Sequence, residues 1–385
     1  MSSPTCSATN RLCATLGLML REIHSADELL AHLQDGGTVS GLRLQGVDLA
    51  SAAGEALIAL PNRFDGLVVL GGHVPASTAR TLTDRGAILF PSDPHLPIDP
   101  YRARLYSAGE LYAGLERGYE HTPDAQAYRW SGDCRVAHDA YAGAMRGLHD
   151  ESMRDALHES LEGRRTVGIM GGHAMGRTST AYAEIARLAR DLAGGGHVVL
   201  TGGGPGAMEA ANLGAADRVG GLDAALECLA GVESFRPSID AWAHSAFAAR
   251  ELLGVADGAG DDVRSVGIPT WFYGHEPPNV FGDVIAKFFS NALREDDLLA
   301  GASGGIIVLE GAAGTVQEIF QSVTPLYYAA DDVPLPHLVL VGRAQWTDVV
   351  PVWPALTALA AGRRFADHLH LVETPAEAFA VLTGA

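Results

Sequence analysis

Three glycine-rich runs carry the chemistry that can be read first: Gly171-Gly172-His173-Ala174-Met175-Gly176, Gly202-Gly203-Gly204-Pro205-Gly206 and Gly311-Ala312-Ala313-Gly314-Thr315. Each follows a short apolar run and precedes a helical pattern. Loops without bulky side chains let backbone N–H groups approach an anion, and the start of the next helix favours negative charge there. One such run is as readily a tight turn. Three at strand-to-helix junctions of one sheet point to a phosphate or nucleotide site. None places G-x-G-x-x-G where a dinucleotide requires it, and none contains the Gly-Lys-Ser/Thr of a Walker loop, so no cofactor is expected.

The third run continues as Gly314-Thr315-Val316-Gln317-Glu318, which puts a carboxylate in the first turn of the following helix. There it is either a partner for the helix dipole or a group that acts on water or a ribose hydroxyl. Arg294 is expected at the C-terminal end of the preceding helix, either as an ordinary dipole partner or as a fixed cation for a phosphate or ribose. The run Trp271 to Asn279 mixes aromatic and polar groups; it reads equally as a base contact or as a helix cap at Asn279. His173 is more simply a solvated loop residue. His275-Glu276 does not extend to His-Glu-x-x-His, which removes a metalloprotease reading. Trp242 and Phe247 read as core or dimer contacts.

The elements that must position these residues are those of an α/β protein with a Rossmann-like, doubly wound parallel sheet and a smaller N-terminal α/β domain. Strands are expected at 166–170, 197–200, 265–272, 305–309, 338–341 and 370–372, alternating with helices over 179–193, 205–215 and 280–293 and from Thr315. The N-terminal part reads as a helix over 26–33 capped by Ser25, a strand over 41–49, a strand over 66–70, a helix over 76–84 and a strand over 87–90. Residues 135–161 carry apolar residues at three- and four-residue steps, as a connecting helix would. This divides the chain into a small domain over 1–125, a helical connector over 126–162 and a nucleotide-binding domain over 163–385. The acidic, Gly-rich stretch 252–264 reads as a mobile surface loop.

Composition narrows the partners. The 385 residues carry a formal charge of −19, which argues against a nucleic-acid-coating role but not against a small phosphate ligand. Cys6, Cys13, Cys134 and Cys228 show no paired spacing, so neither zinc nor a disulfide framework is expected, and a reducing, cytoplasmic location fits. The apolar run Cys13–Leu20 is too short to span a bilayer, and no membrane association is expected. The single lysine, Lys287, is expected within a helix, which leaves nothing to suggest a pyridoxal lysine.

Over about Arg164 to Val341 the sequence resembles the LOG (Lonely Guy) family, and its length and N-terminal extension are more like the larger bacterial nucleosidases of that superfamily. The resemblance rests on Gly202-Gly203-Gly204-Pro205-Gly206-Ala207-Met208-Glu209 and on Gly-x-x-Gly-Thr-x-x-Glu from Gly311 to Glu318. It implies a homodimer that releases the base from a nucleoside 5′-monophosphate. Arg294 and Glu318 would be catalytic, and Gly311, Ala312, Ala313, Gly314 and Thr315 would hold the phosphate. Gly172, Gly203, Gly204, Gly206, Met208, Glu209 and Thr324 would be further substrate contacts. Three positions depart from the family: Glu310 replaces Pro, Ala312 replaces Gly, and Glu295 replaces the Lys of an Arg-Lys pair. The added methyl at 312 would strain a backbone that needs positive φ. Two rivals use the same cleft: a non-catalytic nucleotide-binding regulatory protein, and a nucleoside-modifying biosynthetic enzyme.

Overall fold

The computed structural model describes residues 21–255, 262–272 and 276–384. Cys6, the Cys13–Leu20 run, residues 256–261 of the acidic loop and His275 lie outside the described residues. The chain divides into two compact units, Met1–Ala103 and Arg104–Ala385.

The first unit is a four-stranded parallel sheet in the order β1-β2-β3-β4, from β1 (Arg21–Ile23), β2 (Leu42–Gln45), β3 (Val68–Leu70) and β4 (Ile88–Phe90). Its helices are α1 (Ala26–Gln34), α2 (Ala52–Ala59) and α3 (Ala76–Asp84). Ser25 caps α1 by accepting from the Glu28 amide, which satisfies one of the donors a helix start leaves open. Ile23, Leu29, Leu44, Leu57, Phe64 and Leu67 form the centre of its core. The sequence reading places no strand before Ser25, and β1 stands there. Three residues are too few to show a period, and β1 is defined by its pairing with β2 (Arg21 opposite Leu42).

The second unit is built on a seven-stranded parallel sheet in the order β11-β10-β9-β5-β6-β7-β8. The strands are β5 (Arg165–Met170), β6 (His197–Thr201), β7 (Ser265–Gly267), β8 (Val284–Ile285), β9 (Ile306–Val308), β10 (Leu338–Val341) and β11 (Leu369–Val372). Helices α4 (Ala108–Leu111), α5 (Pro123–Gly132) and α6 (Ala140–Leu161) precede β5. The others are α7 (Thr180–Gly194), α8 (Ala207–Ala215), α9 (Leu222–Leu229), α10 (Ile239–Leu252), α11 (Asn291–Gly301), α12 (Ala313–Tyr328), α13 (Trp353–Ala360) and α14 (Pro375–Thr383). Every residue of β6, β9 and β10 is buried. Such continuous apolar strands are what a parallel sheet covered on both faces requires. The doubly wound Rossmann-like architecture is therefore as the sequence implied. The strand order reverses between β5 and β9, and in open parallel sheets that switch point is where ligands bind. Among the described residues no helix is long and apolar enough to cross a membrane.

Two expectations fail between 265 and 301. The strand from Ser265 ends at Gly267, since Pro269 has no amide to give a ladder. The helix expected over 280–293 is an extended segment containing β8, and α11 starts only at Asn291. Apolar residues at 280, 281, 284, 285 and 288 mimic a helical stripe, but the segment is buried almost without interruption. Its backbone is taken by neighbours: Ile285 exchanges both hydrogen bonds with Tyr106, and the Ala286 amide donates to the Gly267 carbonyl. Asn279 is accordingly no helix cap; its side-chain amide donates to the Gly204 carbonyl at 3.1 Å and to Asn212 Oδ1 at 2.9 Å.

Lys287 is thus in this extended segment and not in a helix. It is buried and ion-paired with Asp124, beneath the Trp271 ring at 5.1 Å. Asp124 also accepts from Trp271 Nε1 at 2.8 Å and from the Tyr119 hydroxyl. Burial pushes the Lys287 ammonium below its usual range, with Asp124 opposing the shift. Removing one partner leaves the other charge uncompensated in the interior. Lys287→Met is expected to cost about 3–5 kcal/mol, measured by urea denaturation; a loss below about 1 kcal/mol would show that the pair is not the anchor of this segment.

Candidate active site

The C-terminal ends of β5, β6 and β9 open into one cleft of about 810 Å³. The three glycine-rich runs meet there: Gly171 to Met175, Gly202 with Gly204, and Gly311 to Thr315 all line it. The helices that follow two of these loops, α8 and α12, start at Gly206 and Ala312 with no side-chain cap. Ser25, Thr122, Asp139, Ser179, Ser238, Ser290 and Thr374 each cap other helices. Uncapped amides at a helix start are the donors an anion can take.

Gly206 and Gly311 show two different reasons why these loops need glycine. Gly206 has φ +72°, and a Cβ there would lie 2.7 Å from the Gly172 carbonyl oxygen. A Cβ at Gly311 would lie 2.0 Å from Thr315 Oγ1, because the Thr315 side chain folds back onto the loop. Ala312, in contrast, has φ −112°, so its methyl carries none of the strain considered from the sequence.

Arg294 and Glu318 share the cleft wall. Arg294 lies in the first turn of α11, not at the end of a helix, because that helix begins eleven residues later than the apolar pattern suggests. Asp150 fixes this start by accepting from the Phe289 amide at 2.8 Å and the Ser290 amide at 2.7 Å. Glu318 lies in the second turn of α12, past the first turn expected. Arg294 Nη1 reaches Glu318 Oε1 at 3.4 Å, and Arg294 Nη2 donates to Asn291 Oδ1 at 2.7 Å. The two side chains are 11% and 13% exposed, so water screens the contact little. Burial pushes the Glu318 carboxyl up to about 7; Arg294 pulls it down and Glu295 pushes it up further. A carboxyl poised there exchanges a proton readily at neutral pH.

Of the other residues singled out in the sequence, Gly172, Gly204 and Met208 line the cleft, whereas Gly203 and Gly206 shape the second loop from behind it. Glu209 and Thr324 are not brought to the cleft. Glu209 is fully buried and bound by Arg177, whose Nη2 donates to Glu209 Oε1 at 2.5 Å and whose Nε donates to both oxygens at 3.2 Å. Arg177 also stacks on Trp242, so this pair holds the end of the first loop to α8. Thr324 is exposed on α12 and donates to the Phe320 carbonyl. Residues that the sequence reading gave no role also line the cleft: Pro269, Thr270, Glu295, Gln317 and Gln345. His173 and Glu276 face each other across it, with Nδ1 and Oε1 3.2 Å apart. Gln317 had a signal in its place beside Glu318; Gln345 had none.

Residues 164–224 match the family model described as SLOG cluster4. Over that segment the chain is SLOG-like. The segment runs from β5 through the first two glycine-rich loops into α9, so it contains neither Arg294 nor Glu318. The comparison with curated proteins returns no match. Among solved structures, the chain is similar to the structural-genomics target TM1055 at 19% identity, covering 57% of this chain and 99% of that one, with a TM-score of 0.36. A molybdenum cofactor binding protein from the phototrophic bacterium Rippkaea orientalis is 13% identical (58% of this chain, 98% of that one, TM-score 0.34). The molybdenum cofactor carrier protein of Chlamydomonas reinhardtii is 16% identical (57% and 97%, TM-score 0.32). At these values no ligand or activity passes from those proteins to this chain.

The raised Glu318 carboxyl makes stability depend on pH. Between the ordinary value of 4.5 and about 7, the folded protein holds a proton that the unfolded chain releases. The stability belonging to neutral Glu318 is therefore complete below 4.5 and lost as pH rises through 7. Glu318→Gln mimics the neutral form. Its thermal stability should equal that of the wild type near pH 4.5 and exceed it at pH 8, by up to about 3 kcal/mol. Melting curves that keep a constant separation at both pH values would contradict this.

Proposed function

We propose that the chain hydrolyses the N-glycosidic bond of a nucleoside 5′-monophosphate, releasing free base and ribose 5-phosphate. The observation that carries this reading is the Arg294–Glu318 contact in the wall of a cleft that also receives the uncapped start of α12. The 5′-phosphate is assigned to the amides of Gly311, Ala312, Ala313, Gly314 and Thr315, with Gly172, Gly204 and Met208 as further contacts. Arg294 and Glu318 then flank the ribose.

Breaking the bond to the base sends its electron pair to the base nitrogen and leaves positive charge on the sugar. Ionised Glu318 stabilises that charge and takes a proton from the attacking water, whose oxygen bonds to the anomeric carbon. The proton held by Glu318 can then pass to the departing base, so atoms and charges balance without another reactant. Arg294 keeps the carboxylate oriented and supplies a fixed positive charge for the ribose or phosphate oxygens. The same reading carries a homodimer in the cytoplasm. A second reading is nucleotide binding without hydrolysis; the exposed Glu310 carboxylate at the cleft favours it by holding the phosphate off the close seating that would align the ribose with Glu318.

Incubation with a panel of nucleoside monophosphates, followed by chromatography of base and ribose 5-phosphate, tests the proposal. Release from at least one nucleotide is expected, falling by about 10²–10⁴-fold in Glu318→Gln while nucleotide binding persists. Binding without release from any nucleotide would favour the second reading and end the first.

A further inference from the structure

Glu295 stands where the LOG resemblance leads one to expect a second cation, and its surroundings show what a carboxylate does there. It is 3% exposed, follows Arg294 at the start of the second turn of α11, and lines the cleft. One oxygen accepts from the Asn291 side-chain amide at 2.6 Å. The other accepts from Gln317 Nε2 at 2.5 Å, across from α11 to α12. Asn291 turns its own carbonyl oxygen to Arg294 Nη2, and Glu295 Oε1 is 3.6 Å from the same nitrogen. The result is a relay of Gln317, Glu295, Asn291, Arg294 and Glu318, exposed at Gln317 and largely buried beyond it, that joins the two helices bearing the acid and the guanidinium.

We propose that Glu295 is the positioning residue of this cleft: its carboxylate, held by Asn291 and Gln317, fixes Arg294 against Glu318 and keeps a negative charge beside that acid. Two side-chain amides hold the Glu295 carboxylate, and the Arg294 guanidinium lies beside it. Glu318 has only the longer contact to Arg294, so of the two carboxyls it is the one free to carry a proton. The roles divide accordingly: Glu295 is held in place by two donors, while Glu318, pushed up first by burial and then by the neighbouring Glu295 charge, exchanges. Other ionisable groups around the cleft are His173, Glu276 and Glu310. The charges that act on Glu318 are those of Arg294 and Glu295. The catalytic part of this inference rests on the hydrolase reading; the coupling of the two carboxyls does not.

The test compares wild type, Glu295→Gln and Glu295→Asp by two measurements. The first is carbon-13 NMR titration of Glu318, assigned with Glu318→Gln. Loss of the neighbouring charge in Glu295→Gln should lower the Glu318 midpoint from near 7 by about half a pH unit or more. Glu295→Asp, which keeps the charge, should return it toward the wild-type value. The second is the pH profile of base release. Its acid limb should move down with the NMR midpoint in Glu295→Gln, with kcat lowered about tenfold and KM within about twofold. If Glu295→Gln does not fold, Gln317→Ala removes one donor without altering either charge, and kcat should again fall while the midpoint does not drop. An unchanged Glu318 midpoint in folded Glu295→Gln, or an unchanged kcat in Gln317→Ala, overturns the proposal. If the wild type releases no base from any nucleotide, the hydrolase reading fails, and the NMR midpoints still decide whether Glu295 acts on Glu318.

Discussion

One guanidinium between two carboxyl groups, with little water to screen it, is the constraint around which the cleft is arranged. Arg294, Glu295 and Glu318 cannot all be charged there at no cost, because removing ions from water is expensive unless each finds partners. The chain resolves the conflict unevenly. Glu295 receives two side-chain amide donors and Glu318 receives one long contact. The acid with fewer partners keeps its proton up to neutral pH. Burial is the main cause, and the Glu295 charge adds to it against the pull of Arg294.

That arrangement requires two helices to meet at fixed rotation and height, and most of the second unit serves this end. Asp150 holds the start of α11 through two backbone amides, and Ser290 caps the same helix through the Leu293 amide. Thr315 packs back on Gly311, which fixes the start of α12 against its loop. Asn279 ties the segment before β8 to Gly204 and Asn212, and the Arg177–Glu209 pair pins the first loop to α8. The buried Lys287–Asp124 pair anchors the segment that leads into α11. The cleft therefore takes its bare amides from a loop and a helix start, and its Arg294, Glu295 and Glu318 from helices, where side-chain geometry is better defined.

The glycine-rich loops were legible because their signals are local: a buried apolar run, small residues, then a helical pattern. The same holds for α1 after Ser25 and α7 after Ser179, where cap and periodicity agree. The segment over 280–293 was misread because apolar spacing alone does not separate a helical stripe from an extended strand buried on all sides. That one error moved Arg294 from a helix end to a first turn. Glu209 and Thr324 carry family resemblance in sequence, yet one is spent on Arg177 and the other faces outward. Glu295 was visible only as a departure from the Arg-Lys pair, with no sign that its partner was Gln317.

The sequence by itself determined a parallel α/β sheet, three loops able to take an anion, and the presence of an arginine and a glutamate near the third. Those are consequences of short-range rules: burial periodicity, caps and the small volume of glycine. Only the tertiary structure decided that the loops share one cleft, that Arg294 touches Glu318, and that Glu295 is locked by a residue 22 positions away. Contacts between side chains on separate helices depend on helix rotation and register, and these are set by packing across the whole sheet and not by any neighbouring residue.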